Sequence, residues 1–208
     1  MITNCCPAAT SLPTVPAETC AQNFGQIQKI IFQRIMNGST KNSIADGTSA
    51  GNAGLLASWT ALKAANDDTK IAVTPFIESP ADDGGDARTY GDGNNTLNGI
   101  GIIIGSNPVN FTCRMNGKKQ GIIAELKKLM CEALANNLGV YLVNENGNIE
   151  GIKDGGNWYP IPVQRLFVSD KLHGNFDSPD YNNMSFSFAP GYSDKLDVLV
   201  LDASALVL

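Results

Sequence analysis

Histidine occurs once in the chain, at His173, and that scarcity removes a block of chemistry before any motif is sought. Multi-histidine zinc sites and most histidine relays need a second imidazole. Charge is also scarce. Asp, Glu, Lys and Arg make up 17% of the residues, against about 25% in an average globular chain. The balance is negative, −5 at pH 7, and this argues against sequence-independent nucleic-acid binding, which needs a basic face to displace counterions. No apolar run reaches the roughly 18 residues of a membrane span, so a soluble protein without membrane partners is expected.

Cysteine is limited to Cys5, Cys6, Cys20, Cys113 and Cys131. The number is odd, and the first twenty-two residues lack the basic start and apolar core of a secretory signal. The cysteines are therefore read as thiols of a reducing compartment. The adjacent pair Cys5 and Cys6 lacks the usual C-x₂₋₄-C bite of zinc ligands, and no metal or other cofactor is expected.

What fills the gap left by charge is Gly (21) and Asn (21), a surface rich in neutral hydrogen-bonding groups. A chain of 208 residues is long enough for one self-supporting domain. The Pro/Thr-rich residues 1–22 are expected to be an extended arm, and 23–208 a single β-rich domain.

Within the domain, FGQIQKIIFQRI (Phe24 to Ile35) reads as a strand. Leu55 to Ala65 favours a short helix. Lys70 to Ile77 is a strand interrupted by Pro75, which points to an edge or a bend. From Glu78 to Gly99 the chain carries Glu78, Asp82, Asp83, Asp86 and Asp92 against Arg88 alone, a net charge of −4. This stretch is read as a long acidic loop serving as an interaction surface. Ile100 to Ile104 is expected to be a buried strand, Val109 to Met115 another, with a hairpin around Ser106, Asn107 and Pro108.

The segment Lys118 to Asn136 is the clearest element. Ile122, Ile123, Leu126, Leu129, Met130, Ala133 and Leu134 repeat at helical spacing and predict an amphipathic helix lying on a sheet. Arg114, Lys118, Lys119, Lys127 and Lys128 against Glu125 make this region basic, at +4. Lysines at a helix start oppose the dipole, so a role in contact is inferred for them, beside the plain reading of a solvated face. Asn146-Gly147 between apolar runs predicts a tight type I′ hairpin. Ile161 to Val168, Asn183 to Phe188 with Met184, Phe186 and Phe188 on one face, and Leu196 to Leu201 complete the strands. The fold class is mostly β with one long helix (α+β), a sandwich or small barrel flanked by that helix.

Catalytic constellations fail one by one. Gly99, Gly101 and Gly105 have the wrong spacing for a dinucleotide fingerprint. The cluster Asp82, Asp83, Asp86 lacks the closing Glu of a calcium loop. His173 near Asp170 and Asp177 has no nucleophile elbow beside it and reads as a surface loop residue. No catalytic residue is assigned. An acidic segment and a basic segment in one chain suit head-to-tail contact between identical subunits.

The segments SWTALKAANDDTKIAVTPFI, GDARTYGDGNNTLNGI, ELKKLMCEA followed by LGVYLVNENGNI, YPIPVQRLFVSDK and FSFAPGYSDKL resemble the tail tube (major tail) proteins of phages that infect Bacteroidetes bacteria. The resemblance covers about three quarters of the chain. It implies a β-sandwich or barrel with one flanking helix, hexameric rings stacked into a tube, and a lumen through which genome DNA passes without specific binding. It further implies other tail proteins as partners, such as the tape measure and tail terminator, assembly in the bacterial host cytoplasm, and residence in the virion tail. On that reading some of Asp82, Asp83, Asp86 and Asp92 face the lumen or pair across rings with Lys118, Lys119, Lys127 and Lys128. The alternatives are another phage structural protein (connector, stopper or decoration protein) and, last, an enzyme or small-molecule binding domain.

Overall fold

A computed structural model describes residues 25–91 and 101–208. The arm over 1–22, its cysteines and Asp92 lie outside the described residues. In chain order the elements are β1 (Ile27–Arg34), β2 (Met36–Asn37), β3 (Thr40–Lys41), β4 (Ile44–Ala45), α1 (Leu56–Ala64), β5 (Ile71–Val73), β6 (Glu78–Gly84), β7 (Ala87–Tyr90), β8 (Ile102–Ser106), β9 (Val109–Asn116), α2 (Gln120–Leu134), β10 (Leu138–Asn144), β11 (Ile149–Asp154), β12 (Asn157–Tyr159), β13 (Ile161–Val168), β14 (Tyr181–Phe188) and β15 (Leu196–Leu199).

All the pairings are antiparallel. β5 pairs with β1, β1 with β10, β10 with β13, and the order continues through β14 and β9 to β6. The ends of this series are joined by the chain itself. β5 stops at Val73, Pro75 forbids a further ladder bond, and the next strand, β6, leaves β1 for the edge of β9. Thr74 and Ile77 still donate their backbone N–H groups to Ile30 and Gln28, which holds the bend against β1. The sheet therefore curls, and it encloses a core to which β1, β9, β10, β13, β14 and α2 all contribute.

β10 explains why the sheet has two cores. Every residue from Leu138 to Asn144 is buried. Leu138, Val140 and Leu142 point to the core shared with α2, while Tyr141 and Val143 point to a second one with Trp59 of α1, Trp158 and Ile149. A strand buried on both faces loses the alternating pattern of a half-exposed one, and VYLVN has none. In the first core Phe186 is the hub. Its ring stacks on Phe111 at 4.8 Å and meets Phe32 and Phe188 edge-on at 6.3 and 5.2 Å.

Several expectations need correction. Among the described residues there are two α-helices, not one long one, and the first, α1, sits where Ala/Leu/Lys composition favours it. The acidic stretch at 78–99 is not a loop over its described part; residues 78–84 and 87–90 are strands. Ile102, Ile103 and Ile104 are strand residues but exposed, at 56, 52 and 56%. No hairpin forms at Ser106 to Pro108, because β8 pairs back to β7 and β9 to β6. On α2, Ile123, Leu126 and Ala133 are buried and Leu129 and Met130 partly so, whereas Ile122 and Leu134 face solvent at 41 and 83%. The stripe is narrower than hydrophobicity suggested, because only the flank of α2 against β13 and β10 is covered.

The β10–β11 hairpin forms as predicted, but its turn is different. Gly147 alone has positive φ (79°), whereas a type I′ turn needs it at both central residues. Instead the Gly147 N–H donates to the Asn144 carbonyl, and Asn144 Oδ1 accepts from the N–H groups of Asn146 and Asn148 at 3.0 and 2.8 Å. This is a four-residue turn closed by a left-handed glycine.

Candidate functional site

The strands β6, β9, β14 and β13 set out the sites predicted from sequence along two rows. One row is Gly84, Val109, Phe188 and Val163; the other is Glu78, Arg114 and Asn183. The two rows mark opposite ends of the same strands. The eight residues of β14 span about 24 Å at 3.4 Å per residue. Asp83 and Asp86 are thereby held apart from Arg114 and Lys118 within one subunit, while Glu78 stays beside Arg114.

From the first end projects a two-stranded ribbon, β7 with β8, which makes no ladder to the main sheet. It begins at a paired kink. Gly84 and Gly85 have φ of 102° and 85°, and a Cβ on Gly84 would lie 2.8 Å from the Pro108 carbonyl oxygen. Asn107 donates to the Asp86 carbonyl at 2.9 Å, keeping the strands together across the bend. Glycine on one strand and Asn-Pro on the other are thus the local signals of a bent ribbon, not of a loop and a hairpin. Beyond the kink, Tyr90 and Ile102 to Ile104 expose apolar side chains on both faces. Such a surface is a template for association.

The acids of this end divide by strand alternation. Asp82 lies opposite Phe111 and so faces the core side, whereas Asp83, opposite Asn110, faces outward. Core-side Asp82 shares the mouth of the curl with Glu150 of β11 and with Tyr192, whose ring stacks on Phe188 at 4.4 Å. Burial, and then the nearby Asp82 charge, raise the Glu150 carboxyl to about 7. Asp82 is exposed as a residue, yet the protein packed around its carboxyl partly desolvates it and raises it. The Tyr192 phenol is raised first by burial and then by both carboxylates. Two carboxylates meet there, and no third metal-ligating side chain joins them among the described residues. Sequence reasoning missed Glu150; its only signal is an acid in an otherwise apolar β-run after the Asn-Gly turn.

The basic set gathers at the other end, but not all of it is available. The Arg114 guanidinium lies over the Tyr181 ring at 5.0 Å. Glu78 belongs here and not with the acidic end: it lies opposite Arg114 and accepts from the Asn116 amide. Lys127 pairs with Asp170, whose carboxyl is lowered by that contact, and Lys128 pairs with Glu125 at 2.6 Å. Lys118 and Lys119 make no ion pair among the described residues, and Lys119 occupies the uncapped N-cap of α2. Lys171 bonds Asp180 at 2.5 Å, and His173 lies 3.7 Å from the same carboxylate, not beside Asp170 or Asp177. His173 is on the surface, with its side chain 82% exposed.

Of the cysteines described, Cys113 is buried, its thiol pushed up to about 12 by burial, and Cys131 is exposed on α2; both are free. No helix among the described residues is long and apolar enough to cross a membrane. No protein-family model matches the chain, and a comparison with curated proteins finds no match.

Proposed function

We propose that this chain is a structural subunit that assembles head to tail, as the repeating ring protein of a phage tail tube. The observation that carries the reading is the separation of opposite charge along one rigid sheet. Asp83, Asp86 and the exposed isoleucine ribbon stand at one end, and Lys118 and Lys119 at the other. Identical subunits with unlike ends satisfy both only by stacking, and a heterologous contact of this kind repeats until a ring or tube results. The outward face between the ends carries Asn110, Thr112, Gln164 and Ser185, with exposed Phe167 opposite Ser185 and exposed Arg165 at the bulge of β13. A face with so few cations suits a wall past which a polyanion slides, since it offers DNA few counterion-releasing contacts.

The test is a charge swap read by negative-stain microscopy at high protein concentration. Asp83→Lys with Asp86→Lys, and separately Lys118→Glu with Lys119→Glu, are expected to abolish stacked rings. The fourfold variant is expected to restore them. Wild-type protein that stays monomeric refutes the proposal, and single closed rings that never stack favour a connector or stopper.

A further inference from the structure

Asparagine is followed by glycine at 37–38, 98–99, 116–117 and 146–147, and the second of these pairs lies outside the described residues. The pairing has its own chemistry. Glycine has no Cβ to shield its backbone nitrogen, so that nitrogen can reach the side-chain carbonyl carbon of the preceding asparagine wherever the fold leaves both groups free. Two of the three described pairs are held.

The Gly117 N–H donates to the Asp180 carbonyl at 2.8 Å, and the Asn116 side-chain amide donates to the Glu78 carboxylate. Attacking nitrogen and target carbonyl are both occupied. At the β10–β11 turn the Gly147 N–H donates to the Asn144 carbonyl at 3.0 Å, and Gly147 is buried beneath the Ser204 segment. Neither pair can close a ring without opening its turn.

The third pair stands open at the tip of the β2–β3 hairpin. Asn37 lies opposite Thr40, so Gly38 and Ser39 are the two central residues of the turn. Gly38 has φ of 59° and Ser39 a negative φ, the glycine-first pattern of a type II′ hairpin. Asn37, Gly38 and Ser39 are all exposed, and a Cβ on Gly38 would meet nothing within 4 Å. Among the described residues nothing accepts from the Gly38 N–H, and nothing bonds the Asn37 side chain. The hairpin is a two-stranded sheet of its own, so a change at its tip leaves the main ladders intact.

We propose that Asn37 is a site of spontaneous backbone-assisted deamidation, at which the charge of this chain changes with age. The Gly38 nitrogen gives up its proton to solvent and bonds to Asn37 Cγ; the Cγ–Nδ2 bond breaks and ammonia leaves, closing a succinimide. Water then opens the ring. Cleavage of the new N–Cγ bond leaves aspartate, and cleavage of the original peptide bond leaves isoaspartate, whose backbone runs through Cβ. The sum is amide plus water to carboxylate plus ammonium, with no change of oxidation state. Either product adds one negative charge at the hairpin tip, independently of the assembly proposed above.

The full chain is aged in mildly alkaline buffer, folded and in urea, and digested with trypsin over time. Peptides 35–41, 115–118 and 129–153 separate the three pairs for mass spectrometry. In the folded protein Asn37 is expected to lose its amide at least about tenfold faster than Asn116 or Asn146, while in urea the three rates converge, since only local opening distinguishes them. Asn37→Gln, whose longer side chain disfavours the five-membered ring, is expected to keep the wild-type melt and to remove the isoaspartate detected in peptide 35–41 by isoaspartyl methyl transfer. Asn37 that keeps its amide in the folded protein, Asn116 or Asn146 converting as fast, or isoaspartate persisting in peptide 35–41 of the variant would each overturn the proposal.

Discussion

Replacing Glu150 by Gln separates the cost of a crowded carboxylate from ordinary packing. In the folded chain this group is raised from 4.5 to about 7, first by burial and then by Asp82. Between those values the folded state keeps the proton more tightly than the unfolded state does. Unfolding therefore releases it, and this group's contribution makes stability fall as pH rises from about 4.5 through 7. At about 1.4 kcal/mol per pKa unit the whole displacement amounts to roughly 3 kcal/mol. Glu150 is half-buried, and the water it still meets reduces the figure to about 1–2 kcal/mol. Gln keeps the shape of the protonated acid and cannot ionise. Glu150→Gln is accordingly expected to be near neutral at pH 5 and to stabilise by about 1–2 kcal/mol at pH 8. Urea unfolding of both proteins at the two pH values measures the double difference, in which Asp46, Asp170 and Asp180, all lowered by their partners, cancel. An equal effect of the substitution at pH 5 and pH 8 would refute a Glu150 carboxyl raised by burial.

Phe186→Ala, which empties the hub between Phe111, Phe32 and Phe188, is expected to cost about 3–5 kcal/mol by urea unfolding. A loss under about 1.5 kcal/mol would mean the core collapses around the gap. Gly147→Ala meets two penalties, a left-handed φ of 79° and a Cβ 2.0 Å from Ser204 Oγ, in a turn whose carbonyl also accepts from the Ala205 N–H. A loss of about 2–4 kcal/mol in thermal or urea melts is expected, and a change below about 0.5 kcal/mol would show that the Ser204 segment yields freely.

Much of the fold is written locally. IPVQRLFV forms β13 at the boundaries its composition predicts, and Met184, Phe186 and Phe188 share one buried face because strand period alone dictates it. Pro75 marks the bend that lets the sheet curl, since a residue without an N–H cannot donate to the ladder beyond Val73. The errors have a common cause. Hydrophobicity and charge read IGIII as a buried strand and ESPADDGG as a loop, yet Ile102 to Ile104 stand in water on the isolated β7–β8 ribbon, and Asp82 and Asp83 stand in edge strand β6 of the main sheet. Periodicity reports what a segment tends to bury, not whether a partner surface is there to bury it.

The basic and acidic segments were visible as segments, and their opposite signs alone suggested contact between copies. Only the tertiary structure decided which charges remain available for it. Pairing withdrew Lys127 and Lys128 into intrachain contacts, register set Glu78 opposite Arg114, and strand alternation put Asp82 on the face of Phe111 and Asp83 on that of Asn110. By itself the sequence determined a β-rich chain of low charge with one amphipathic helix, because those properties depend on composition and short-range period. The placement of Asp83 and of Lys118 toward different ends of one sheet depends on β9, which joins strands as far apart in sequence as β6 and β14. Long-range pairing is not encoded in any local window; it is settled by the packing of the whole core.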